Sequence, residues 1–166
     1  MIDKADLLDA LRARVRADLE ALERRQLDVE KGATHEESRS EHAKDTRATE
    51  QSYLARGLAD RVADLRRTVD ALVALELRRF GPDDPIAVTA LVVVSSEGDE
   101  PDTANHESWF VVPGAGGVEL HLAGVRVRTV TPISPLGRSL LGLCQGEAGT
   151  LRTPRGPRSF DVLEVR

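Results

Sequence analysis

The chain reads as an α+β protein in which a long antiparallel coiled-coil helical hairpin is followed by a small mixed domain. Three observations predict this. Two helical stripes fill the first half, a breaker cluster closes them, and short β-rich runs fill the second half around one brief capped helix. The 166 residues are enough for two modest cores.

Residues 3–31 contain neither Pro nor Gly, and Leu8, Leu11, Val15, Leu19, Leu22 and Val29 recur at intervals of three, four or seven among charged residues. That spacing is the apolar stripe of an amphipathic helix. A second stripe, Leu54, Leu58, Val62, Leu65, Val69 and Leu72, steps 4-4-3-4-3 and keeps a heptad rhythm to about Arg79. Arms of about 28 residues, rising about 1.5 Å each, predict a hairpin reaching roughly 40 Å. The polar interval 32–45, opened by Gly32 and lacking any apolar side chain larger than alanine, forms its tip.

Gly81-Pro82-Asp83-Asp84-Pro85 breaks the second helix and separates a hairpin domain over 1–80 from a second domain over 86–166. The second domain reads as strands at 86–94, 109–112, 118–122, 125–131, 147–152 and 159–165. The acidic, polar segment 95–108 reads as a flexible loop. Ser134 and Pro135 form a helix start, Leu136, Leu140 and Leu141 share a face, and Gly142 stops the helix over 135–141.

A formal charge of −5 argues against tight nonspecific binding to nucleic acid or anionic membrane, and five aromatic residues furnish neither a stacking platform nor an aromatic pocket. A protein partner is the better expectation. A single cysteine, Cys144, excludes an internal disulfide and fits a reducing compartment; it reads as a core or half-buried thiol. With no apolar run near eighteen residues and no leader pattern, the chain is expected to be soluble, cytoplasmic and free of the membrane. A folded-back hairpin is expected to be a monomer.

The run Ser134-Pro135-Leu136-Gly137-Arg138-Ser139-Leu140-Leu141-Gly142, preceded by Val130-Thr131-Pro132-Ile133 and followed by Gly146-Glu147, Thr153-Pro154-Arg155-Gly156 and Phe160-Asp161-Val162, resembles the C-terminal domain of the bacterial Gre transcript-cleavage factor family. The resemblance is strong over roughly 35 residues and weak over 95–125. It implies an FKBP-like α+β domain and a factor that binds core RNA polymerase at the rim of its secondary channel. It also implies a hairpin inserted into that channel, near the 3′ end of the nascent RNA. Sequence-specific DNA contact is not expected. Nor is an enzymatic activity of its own: the family stimulates cleavage by the polymerase.

Glu36, Glu37, Glu41 and Asp45 crowd the tip. In the family, tip acids help hold a second Mg²⁺ at the polymerase's own carboxylates, so no intrinsic cofactor is implied. Hard carboxylate oxygens suit that ion. Glu41-His42-Ala43, followed nine residues on by Glu50-Gln51, aligns Glu41 with the family's second acid, whereas the first falls on Ser38. Glu37 is the nearest substitute, one position early, which on a helix is a rotation of about 100°. As catalytic and metal-holding candidates, then, the resemblance supplies Glu41 and Glu37, with weakened or absent cleavage.

Lys44, Arg47 and Arg56, with Arg39 inside the tip, match basic residues that in the family line the path of extruded RNA; as plain sequence they equally form the wet face of a coiled coil. Ser134, Pro135 and Arg138 are the docking candidates, with Arg126 and Arg128 as further polar contacts. His35 and His42, seven apart without a nearby Cys, make no recognised metal pattern. Tyr53 is expected to pack near the hairpin end, and Gly57, inside the stripe, to allow close helix approach or a bend. Two other functions compete: a coiled-coil adaptor without a polymerase role, and a peptidyl-prolyl isomerase, for which the domain's single Trp and two Phe are a poor start.

Overall fold

The computed structural model describes residues 2–36, 44–96 and 105–166. Three helices, α1 (Lys4–Glu36), α2 (Lys44–Val73) and α3 (Pro135–Leu140), accompany six strands: β1 (Leu91–Ser96), β2 (Asn105–Val111), β3 (Glu119–Leu122), β4 (Val125–Val130), β5 (Ala148–Thr153) and β6 (Gly156–Val165). The chain divides into a helical unit, Arg12–Asp70, and a sheet unit that joins Met1–Leu11 to Ala71–Arg166.

The Asp3 carboxylate accepts the Ala5 N–H at 2.9 Å and so caps α1. The helix then runs through Gly32 to Glu36, beyond the break expected there, because one glycine costs only about 1 kcal/mol relative to alanine in a helix interior. Within the helical unit α1 and α2 form the expected hairpin. Val15 and Val62 are buried, and Arg66 donates to the Glu23 carboxylate of the opposite arm at 2.6 Å. That pair is substantially exposed, so it fixes register more than it stabilises.

Two expectations for α2 are corrected. Tyr53 does not pack at the hairpin end: it and Leu54 are each 70% exposed. Gly57 is exposed with no atom within 4 Å of a Cβ placed on it, so it serves no close helix approach. With that space open, Gly57→Ala should stabilise the helical unit by about 1 kcal/mol, seen as a raised midpoint in thermal denaturation followed by circular dichroism.

The second helix also ends sooner than its heptad rhythm, at Val73 rather than near Arg79. Tertiary bonds take over. The Arg78 N–H donates to Thr89 Oγ1 at 3.1 Å, the Thr89 N–H donates to Val111 O at 2.8 Å, and the Lys4 ammonium donates to the carbonyls of Arg78, Thr89 and Arg166. Thr89 is held at φ +76°, a conformation that costs a β-branched residue about 1–3 kcal/mol and persists only where its surroundings dictate it. This explains why β1 begins at Leu91 instead of at residue 86.

The sheet order is β3-β4-β2-β1-β6-β5, antiparallel throughout except for the parallel pair β2–β4. The β1–β2 ladder extends to Ser96↔Asn105, so the polar segment expected as a loop over 95–108 is strand at both ends. Its remainder lies outside the described residues. The helix α3 covers one sheet face. Its Leu140 joins Val92, Val94, Val111, Val130 and Val162 in a continuous buried cluster, with Trp109, Leu136, Leu141 and Leu143 packed around it. Alternation along β1 places Leu91 and Val93 on the opposite face.

Candidate functional site

The motif 134–142 folds as its residues dictate. Ser134 Oγ donates to Thr131 O at 2.8 Å and accepts the Gly137 N–H at 3.0 Å, which satisfies one of the otherwise unpaired donors of the first turn. Pro135 occupies the first turn, where no N–H is needed. Leu140 and Gly137 are buried, Leu141 donates its N–H to Gly137 O at 3.0 Å, and Gly142 takes the positive φ that ends the helix. Gly142 N–H then bonds Ile86 O, and Ile86 N–H bonds Leu143 O, which ties the end of the motif to the segment that leads into β1.

With its leucine face inward, the element leaves Pro135 and Arg138 exposed, and Ile133, just before its cap, is 77% exposed. The Ser134 hydroxyl is engaged within the cap on both sides. From Thr131 to Leu141 the exposed residues are Ile133, Pro135 and Arg138. Ile133 was not singled out by periodicity. Its place between Pro132 and Pro135, outside any apolar repeat, is the signal that it stands free.

Arg126 and Arg128 gather with His121 around one carboxylate on the β3–β4 pair. The Arg128 Nε lies 3.2 Å and the Arg126 Nη1 3.9 Å from Glu119 Oε2, and His121 Nε2 is 3.4 Å from Oε1. Arg128 also faces the Trp109 ring, 5.9 Å from its centroid. These arginines therefore bond within the domain, at an exposed strand pair. Cys144 is half-buried as expected, its Sγ 3.5 Å from Asp83 O and its N–H donated to Glu147 at 2.8 Å.

Glu37, Ser38, Arg39, Glu41 and His42 lie outside the described residues, between the end of α1 and the start of α2. Lys44 and Arg47 belong to the first two turns of α2, and Arg56 is exposed three turns on. Among the described residues no group of three or more His, Cys, Asp or Glu is placed to hold a metal ion, and no helix is long and apolar enough to cross a membrane.

No protein-family model matches the chain. Two curated relatives do. A 44-residue stretch, 26% of the chain, is 43% identical to transcription elongation factor GreA of Syntrophobacter fumaroxidans and spans 28% of that protein's length. Over 127 residues, 76% of the chain and 72% of the relative, it is 28% identical to transcription elongation factor GreA of Azorhizobium caulinodans. Among solved structures, Gfh1 of Thermus aquaticus is 22% identical, with 93% of this chain and 92% of that one covered at a TM-score of 0.40.

Proposed function

We propose that the chain is a Gre-like transcription elongation factor that binds RNA polymerase. It inserts the α1–α2 hairpin into the secondary channel and docks through the sheet unit. It acts on the polymerase and has no catalysis of its own. The observation that carries this reading is the presence, in one chain, of a helical hairpin and a Ser134-capped helix with an exposed Ile133, Pro135 and Arg138 surface, along a sequence similar to GreA over 127 residues.

The division of labour follows from area. A polar hairpin turn offers little apolar surface, whereas Ile133 and Pro135 are apolar groups that docking can dehydrate, and arginine is a residue type enriched at interface hot spots. At the turn, Glu37 and Glu41 would supply carboxylate oxygens to a Mg²⁺ shared with the polymerase, and Lys44, Arg47 and Arg56 would lie along the RNA path. When bound, that ion supplies charge neutralisation and an activated water for phosphodiester hydrolysis. What this chain contributes is the placement of its acids. Both curated relatives carry the name transcription elongation factor GreA, and nothing observed favours an adaptor or a prolyl isomerase.

A pull-down tests the proposal. Core polymerase is expected to be retained by the immobilised chain and displaced by excess authentic Gre factor. Ile133→Asp with Arg138→Glu should weaken retention at least ten-fold while leaving the melting profile intact, since both side chains are exposed. Absence of retention, or retention undiminished by the competitor, removes the proposed function.

A further inference from the structure

Within the sheet unit, a cleft of about 500 Å³ opens between apolar walls supplied by Ile2 and Leu77. Its remaining lining is Lys4, Arg78, Arg79, Arg166 and one carboxylate, Asp3. The cations differ in what they already hold. Lys4 is used up, its three N–H donors shared among three carbonyls. Arg166 engages the Glu164 carboxylate through Nε and Nη2, the latter at 2.7 Å, which leaves both N–H donors of Nη1 and one of Nη2.

Arg78 and Arg79 are unspent. Both are exposed, the Arg78 guanidinium lies 5.0 Å from the Phe80 ring centroid, and among the described residues neither side chain has a carboxylate partner. Asp3 is occupied with the α1 cap. Four cations therefore face the carboxylates of Asp3 and Glu164, and positive charge remains in excess even with a main-chain carboxylate at Arg166. This occurs in a chain of formal charge −5, whose overall field repels anions, so a concentrated patch with apolar walls is a local departure from the rest of the molecule.

Guanidinium forks match phosphate oxygens two at a time, and a cleft of this volume is several times larger than one phosphate group. We propose that the cleft formed by Lys4, Arg78, Arg79 and Arg166 binds a phosphate-bearing small molecule of nucleotide size. Its phosphates meet Arg78 and Arg79, and its less polar part lies against Ile2 and Leu77. Lys4 supports the reading from beneath: burial, and secondly the Arg78 charge, hold its ammonium below the usual pKa, and a bound anion offsets that repulsion.

Isothermal titration of the full chain with adenosine 5′-diphosphate, in low salt without divalent ions, tests this independently of any polymerase assay. Saturable one-to-one binding is expected, at least ten-fold weaker in Arg78→Ala/Arg79→Ala and unchanged in Arg155→Ala, an exposed arginine at the β5–β6 turn. Thermal melts establish that the variants fold, and Arg79→Glu alone supplies a second test should the double variant not fold. Four results overturn the proposal: no saturable binding, equal loss in Arg155→Ala, equal binding of phosphate-free adenosine, or tighter binding of a short RNA lacking a terminal phosphate.

Discussion

Stalled elongation complexes given the natural chain are expected to cleave their backtracked RNA slowly or not at all, and Ser38→Asp should raise the rate by up to about 100-fold. The proposed Mg²⁺ site asks for two carboxylates in a set geometry, and here the position of the first carries a serine hydroxyl. Displacing one ligand by an ångström can cost about 100-fold in rate, so Glu37, one residue early, is a poor replacement. The gain should vanish when Glu41→Ala is added to Ser38→Asp. The decisive measurement is single-turnover cleavage of 3′-labelled transcript at fixed Mg²⁺ with each variant. Vigorous cleavage by the unmodified chain that survives both Glu37→Ala and Glu41→Ala would show that other residues are responsible.

A loss of about 2–3 kcal/mol in urea unfolding is the expected result of Gly149→Ala. Gly149 and Phe160 face each other across β5 and β6, and the buried Phe160 ring lies over the glycine. A methyl group there would sit 2.7 and 2.9 Å from Cε2 and Cε1 and closer still to Cζ. The ring belongs to the core cluster under α3, so it has no free direction in which to move. In a Phe160→Leu background, where the ring is gone, the added cost of Gly149→Ala should fall below about 1 kcal/mol. If the two substitutions were simply additive, the ring would not be the obstacle.

What the sequence made legible is what depends on local rules. The apolar stripes gave α1 and α2, Ser134 with Pro135 and Gly142 gave α3, and β-branched runs gave the centres of most strands. What stayed hidden depends on distant partners. Nothing near Thr89 announces a left-handed threonine, since its hydrogen bonds come from Arg78 and Val111 and its carbonyl is held by Lys4. Ser95, His106 and Glu107 read as loop because pairing through the main chain requires no apolar side chain. Tyr53 and Leu54 look like core residues by type and rhythm, yet their burial is a matter of what lies opposite. For the candidate site, the cap was legible, and the exposure of Ile133 was signalled only by its place between Pro132 and Pro135, outside any apolar repeat.

The topology of the sheet unit sets when it can form. The central strand β1 joins β6 at Val92↔Val165, and Lys4 donates to the main-chain oxygen of Arg166. A chain emerging from the ribosome with its N-terminus first therefore leaves one edge of β1, with Val92 and Val94, both buried in the finished protein, without its partner strand long before residue 165 exists. The hairpin arms, whose contacts are closer along the chain, close early by comparison. Closing the β1–β6 ladder and seating Lys4 must wait, and their high contact order makes them slow. Nascent chains short of β6 would thus carry an unpaired β1 edge beside uncovered valines, the kind of surface that chaperones hold.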